Sequence, residues 1–148
     1  MCIRDRNHTL HIAELTEDYL YHTDKYVRIL PGGHNEAPAI FKKEGVYWMI
    51  TSGCTGWKPN AARLSRATSI WGPWESLPNP CVGEKAELTF DSQSTYILPV
   101  EGKRDTWIFM ADRWRPKNPI DARYIWLPIA FEDGKPVLKW ADEWKMSE

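Results

Sequence analysis

The run Glu36-Ala37-Pro38-Ala39-Ile40-Phe41-Lys42-Lys43-Glu44-Gly45 can be laid over Gln93-Ser94-Thr95-Tyr96-Ile97-Leu98-Pro99-Val100-Glu101-Gly102 at an offset of 57 residues. Ile40 then matches Ile97, and Glu44-Gly45 matches Glu101-Gly102. After an insertion of three residues, Tyr47 meets Trp107 and Met49 meets Phe109. A self-similar unit of this size, carrying a strand, a tight turn and a second strand, is about what one four-stranded propeller blade requires. A β-sandwich, which also spaces short strands regularly, stays open on this pattern alone.

Strand signals fill the rest of the chain. Thr9–Leu15 alternates with period two. Ala39–Lys43 and Val46–Ser52 are joined by Glu44-Gly45, a two-residue hairpin signal. Ala61–Thr68 precedes the turn-rich WGPW at Trp71–Trp74, and Gln93–Val100 and Thr106–Asp112 flank the loop Glu101–Asp105. Arg123–Phe131 and Pro136–Trp140 are predicted as two further strands around Asp133-Gly134. Asp18–Leu30 comes nearest to a helical period, but its Tyr and Val content argues against a helix. The expectation is an all-β chain. At 148 residues it holds about two and a half units of the repeat, against ~4–8 blades in a closed propeller. It therefore reads as part of a ring.

Composition narrows the function classes. A net charge of −1 gives no basic field for nucleic acid or anionic membranes. The longest apolar runs, Val46–Ile50 and Tyr96–Val100, are strand-sized, far short of the ~18 residues of a membrane span. Nine tryptophans point to packed β structure or to a surface that stacks on flat partners. Cys2, Cys54 and Cys81 are too few for a disulfide scaffold, leaving a Cys54–Cys81 bridge or buried thiols as alternatives. His8, His11, His22 and His34 form no metal-binding spacing, so neither metal nor cofactor is expected. Met1–Arg6 (MCIRDR) matches what a transposon-end sequencing adapter would encode. These six residues are expected to be a scar, the domain to occupy 7–148, and the natural start to lie upstream.

The repeat aligns Glu36 with Gln93, each at the head of the first strand of its unit. In a propeller that strand lines the axis, so both side chains could face one central pocket. A carboxylic acid desolvated there can serve as a proton donor. The plainer alternatives are an exposed residue before a strand for Glu36, and a satisfied strand end for Gln93.

The run Glu36-Ala37-Pro38-Ala39-Ile40-Phe41-Lys42, followed by Gly45-Val46-Tyr47-Trp48-Met49, resembles glycoside hydrolase family 43. Ser52–Asn60 (SGCTGWKPN), Ser69–Trp74 (SIWGPW), Asp91–Tyr96 (DSQSTY) and Ala111–Ile129 are similar to its exo-β-1,3-galactanase branch. The resemblance covers roughly residues 8–148 and implies the last two to three blades of a five-bladed β-propeller. It implies an inverting glycosidase, acting on plant-type polysaccharide by exo-release of galactose from β-1,3-galactan. Glu36 matches the general acid. Gln93 matches the branch's glutamine, here taken to position the water. Thr55 and Trp57 match a loop that contacts the galactosyl unit, with Trp57 as a cap on the core the alternative. Asp112-Arg113-Trp114 either presents a carboxylate, a cation and a ring to sugar hydroxyls or forms a structural turn, the reading the residues favour. Arg113, Arg115 and Lys117 read as a solvated loop, and Trp71 and Trp74 as hairpin packing. An arabinofuranosidase or xylosidase of the same family, a non-catalytic carbohydrate-binding propeller and a small β-sandwich module are the alternatives. The resemblance also implies a secreted or periplasmic parent whose partner is a poly- or oligosaccharide; the fragment alone is expected to hydrolyse little.

Overall fold

The computed structural model describes residues 8–146 and the backbone of 2–5. Strands β1 (Cys2–Asp5), β2 (Thr9–Leu15) and β3 (His22–Ile29) form one antiparallel sheet in the order β1-β2-β3. Cys2 of β1 lies opposite Ile12. A second sheet is a four-stranded meander of β4 (Asn35–Lys43), β5 (Val46–Gly53), β6 (Arg63–Ala67) and β7 (Glu75–Leu77). After the short β8 (Cys81–Val82), a third sheet contains β9 (Gln93–Pro99), β10 (Trp107–Arg113) and β11 (Arg123–Pro128), ordered β11-β10-β9. Finally β12 (Ala130–Glu132) and β13 (Lys135–Lys139) make a hairpin whose β13 runs parallel to β8. The chain is all-β, with two short 3-10 turns at Ala86–Leu88 and Pro119–Asp121. Among the described residues no helix is long and apolar enough to cross a membrane.

The turn residues explain the hairpins. Lys43 pairs with Val46 across Glu44 and Gly45, whose φ angles of 49° and 83° are the two positive values of a type I′ turn. Asp133 and Gly134 do the same between Glu132 and Lys135. Arg123–Phe131 does not form the single strand its pattern predicts. Pro128 has no N–H for the ladder, the Ile129 amide turns to the Trp107 carbonyl at 3.0 Å, and the chain leaves as β12 for another sheet. Asp18–Leu30 forms a tight turn and then β3.

The second sheet is covered on both faces. Phe41, Trp48, Ile50 and Leu64 pack with Ile97, Phe109, Ile125 and Leu127 of the third sheet. Met49 and Ile40 pack the other way, onto Leu10, Ile12 and Ile29 of the first, with Trp71 and Trp74 closing that cluster as packing residues. This is why Val46–Ile50 is apolar without alternation: both of its faces are buried. Cys81 and Cys54 are not bridged to each other, and burial pushes the Cys81 thiol up to about 12.

Candidate active site

The two repeat-related strands β4 and β9 lie side by side with their heads together. Ser94 Oγ donates to the Ala37 carbonyl at 2.6 Å, and Gln93 Nε2 donates to Glu36 Oε1 at 2.9 Å. Both bonds join residues 57 apart, so the sequence repeat is also a contact between equivalent positions. At the head of β4 the ladder is bulged: Glu36 opposes Ser52 while Ala39 opposes Ile50, leaving one extra residue. Ala37 sits there at φ 52°, ahead of Pro38, which has no N–H to give the ladder. The bulge lets Glu36 lean from its own sheet toward Gln93.

Gln93 arrives on a more unusual path. Thr89, Phe90 and Asp91 have φ of 50°, 57° and 60°, three successive non-glycine residues in the left-handed region, each disfavoured by ~1–2 kcal/mol. Bonds from both sides offset that strain. Thr89 Oγ1 donates to the Asn60 carbonyl at 2.7 Å, the Phe90 amide to the Lys85 carbonyl at 2.9 Å, and the Arg113 guanidinium to the Phe90 carbonyl at 2.6 Å. Thr89, Phe90 and Ser92 are buried. Arg113, predicted as part of a solvated loop, instead turns inward here, its guanidinium 5.1 Å from the Trp140 ring centre. Its neighbour Arg115 does lie in an exposed loop, paired with Asp121.

Beside Gln93 is a cavity of about 190 Å³ whose lining includes Ser52, Trp57, Asn60, Asp91, Asp112 and Trp114. Gln93 Nε2 also donates to Ser52 Oγ at 2.7 Å. With both amide hydrogens committed to Glu36 and Ser52, the amide orientation is set by its acceptors. Trp57, from the loop after β5, and Trp114, from the loop after β10, stack at 5.1 Å between ring centres and 26° between planes. They are 70% and 43% exposed, so together they form an indole wall open to solvent. Asp112 lines the cavity as the register partner of Gln93.

Of the residues the sequence singles out, Glu36, Gln93, Trp57, Trp114 and Asp112 come together here, Glu36 through its bond to Gln93. Thr55 stands apart. Its hydroxyl donates to the Lys58 carbonyl at 2.5 Å and accepts from Asn60 Nδ2 at 2.7 Å, and it is not part of the lining. Asn60 in turn holds the N–H and C=O of Gly53 at 2.7 and 3.0 Å, fixing the loop that carries Trp57. Ser52, Asn60 and Asp91 line the cavity although the sequence reading gave them no role of their own, only places at the ends of the stretches Ser52–Asn60 and Asp91–Tyr96. A straight hairpin from Lys43 and Val46 would set Gly53 opposite Glu36, and the bulge sets Ser52 there instead. Among the described residues no group of three or more His, Cys, Asp or Glu is placed to hold a metal ion.

Comparison with known proteins now bears on this geometry. The profile of glycosyl hydrolases family 43 matches residues 2–136. A solved β-1,3-galactosidase of that family, with galactodeoxynojirimycin, is 65% identical at a TM-score of 0.93, covering 95% of this chain and 41% of that one. A solved exo-β-1,3-galactanase from Clostridium thermocellum is 34% identical at a TM-score of 0.79, covering 90% of this chain and 29% of that one. A curated β-D-galactofuranosidase from Aspergillus niger is 30% identical over 99 residues, 59% of this chain and 29% of the relative. The chain thus spans less than half the length of each. These family neighbours are β-propellers, and the stacked sheets described above are a sector of that architecture.

Proposed function

Because the chain belongs to glycosyl hydrolase family 43, we propose that it carries the acid half and the sugar-facing wall of an inverting enzyme that releases galactose from the end of β-1,3-galactan. The observation that carries this reading is the bond from Gln93 Nε2 to Glu36 Oε1 across two blades, beside an indole-walled cavity. Glu36 protonates the departing glycosidic oxygen. Gln93 holds its carboxyl in orientation through the Nε2 bond and positions the attacking water. The indoles offer flat apolar faces to the C–H face of a galactosyl ring. The cavity of about 190 Å³ beside Gln93 has room for sugar hydroxyls against the indole wall. The β-1,3-galactosidase and the exo-β-1,3-galactanase among the neighbours support the substrate class.

The rest of a ring would come from chain beyond these residues, so the 148-residue piece alone is expected to turn over little. An enzyme acting on an external polysaccharide belongs outside the cytoplasm, secreted or periplasmic. The test uses the longest natural form that contains these residues: it should release galactose from β-1,3-galactan and lose ~10²–10⁴ in turnover on Glu36→Gln. Turnover unchanged by that substitution would remove Glu36 from the chemistry.

A further inference from the structure

A second cavity, of about 250 Å³, lies against the strained turn and is lined by Glu84, Lys85, Phe90, Asp91, Arg113 and Trp140. It is larger than the cavity beside Gln93, and Asp91 lines both. Building on the reading above, we propose that this second cavity is an accessory sugar subsite. It takes a neutral galactosyl unit of the same polysaccharide, away from the bond being cleaved.

Topology puts the two cavities at one end of the molecule. β9 begins at Gln93, and β10, antiparallel to it, ends at Arg113 after pairing Asp112 with Gln93. β8 and β13 run parallel, with Lys139 opposite Val82. Trp140 therefore follows β13 at the end where residues 83–85 follow β8. The turn closes on itself there, Lys85 Nζ meeting Asp91 Oδ2 at 2.6 Å, two residues before Gln93. With Asp91 as a shared wall, a chain seated by its end in the first cavity has the second within reach.

The lining has the chemistry of a polyol site. Trp140 is held by the Phe90 ring at 5.8 Å, by the Arg113 guanidinium at 5.1 Å and by its own Nε1–H, which donates to Asp142 Oδ1 at 2.9 Å. It still leaves 42% of its surface exposed, and a fixed indole offers apolar area to sugar C–H groups. Around it stand two carboxylates, Glu84 and Asp91, and two cations, Lys85 and Arg113. A hydroxyl both donates and accepts, so a sugar can use each kind, and bonds to charged groups are the stronger ones. The charges balance, which selects a neutral ligand over a phosphate or a uronate. Among the described residues the Arg113 guanidinium bonds only the Phe90 carbonyl, at 2.6 Å, and its Nε–H finds no acceptor, so the lining holds donors to spare.

A second hold on the chain keeps its end near Glu36 by raising the effective concentration, with no new contact at the reacting bond. Such binding is equal in the ground and transition states, so it lowers KM on the polymer and leaves kcat alone.

The experiment uses the longest natural form of the protein and compares β-1,3-galactan with 2,4-dinitrophenyl β-galactoside, whose single sugar fills only the first cavity. Glu84→Ala and Trp140→Ala should each raise KM on galactan by ~2–10-fold, the scale of one lost contact. The kcat on galactan and both constants on the aryl galactoside should stay as in the wild type. Calorimetry in a Glu36→Gln background should show either substitution weakening β-1,3-galactohexaose by the same factor while galactose binding holds. Because Trp140 packs on Phe90, the exposed Glu84 decides the matter if Trp140→Ala does not fold. An unchanged KM on galactan in Glu84→Ala would overturn the proposal. Loss on both substrates in Trp140→Ala, with Glu84→Ala like the wild type, would also overturn it by making Trp140 a support of the turn. A wild-type protein inactive on both substrates would overturn the functional reading beneath it, and the subsite with it.

Discussion

The hairpins β4–β5 and β9–β10 are one design built twice, and they diverge at their heads and on their outer faces. At the heads, Glu36 opposes Ser52 in the first, and Gln93 opposes Asp112 in the second. In packing, β5 is enclosed between two apolar clusters, whereas β10 turns Phe109 to one cluster and on its other face has buried Ile108 and half-buried Met110, a face beside which the rest of a ring is absent from these 148 residues. Phe109, Ile125 and Leu127 face the core, while Tyr96, Tyr124 and Trp126 lie on the other side, exposed. The interior of a blade is constrained by its neighbour's side chains. Its head lies beyond the last core residue, so polar groups there can change from copy to copy without disturbing the fold. That freedom lets one repeated hairpin supply an acid once and an amide with a carboxylate the next time.

The heads separate most sharply. Glu36→Gln should remove ~10²–10⁴ of turnover on galactan, while Ser52→Ala, which only takes one acceptor from Gln93, should lose less than tenfold, on the scale of one ~0.5–1.5 kcal/mol hydrogen bond. Equal losses would dissolve the distinction between acid and support. The faces come next: Phe109→Ala, fully buried, should lower stability by ~3–5 kcal/mol in urea unfolding. Trp126→Ala on the open face should change it by roughly 0.5 kcal/mol in the 148-residue chain. A large loss at Trp126 would show that this face is packed after all.

A smaller effect tests the bulge. Ala37→Gly relieves a left-handed alanine at φ 52° and should stabilise by about 0.5–1 kcal/mol, net of the extra freedom glycine gives the unfolded chain. Ala39→Gly, two residues on in the regular strand, should instead destabilise by about 0.5–1 kcal/mol. The smallest effect concerns the opposite end of the hairpins, where Lys43 Nζ bridges Glu44 and Asp105 at 3.0 and 3.1 Å, tying the two turns together. Its bonds to Glu44 and Asp105 raise the Lys43 ammonium above the ordinary 10.5. A raised cation stabilises fully below its unfolded value and loses that contribution as pH climbs through the folded one. Thermal unfolding scans should therefore show a decline above about pH 10.5 that is shallower in Lys43→Met; identical slopes would mean the bridge contributes nothing.

Local signals were readable where a residue type dictates the backbone. Glu44-Gly45 and Asp133-Gly134 mark their hairpins because glycine accepts positive φ at its turn position. The pairing of Glu36 with Gln93 was readable for another reason: the repeat carries it across 57 residues. The left-handed run at Thr89, Phe90 and Asp91 was not, because none of these residues prefers that conformation and only distant bonds to Asn60 and Arg113 hold it. Arg113 was misplaced for the same cause, since the Phe90 carbonyl and Trp140 that draw it inward are far away in sequence. The bonds of the Thr55 hydroxyl to the Lys58 carbonyl and Asn60 were likewise illegible, because they depend on how the loop folds back on itself.

The most direct test of a two-group site with water between acid and base is the anomeric configuration of the first product. Proton NMR during the opening seconds of β-1,3-galactan hydrolysis should show α-galactose accumulating before mutarotation, as inversion requires. Initial release of β-galactose would contradict the account, because retention needs a nucleophile ~5–5.5 Å from the acid and leaves no role for a water held across the ring.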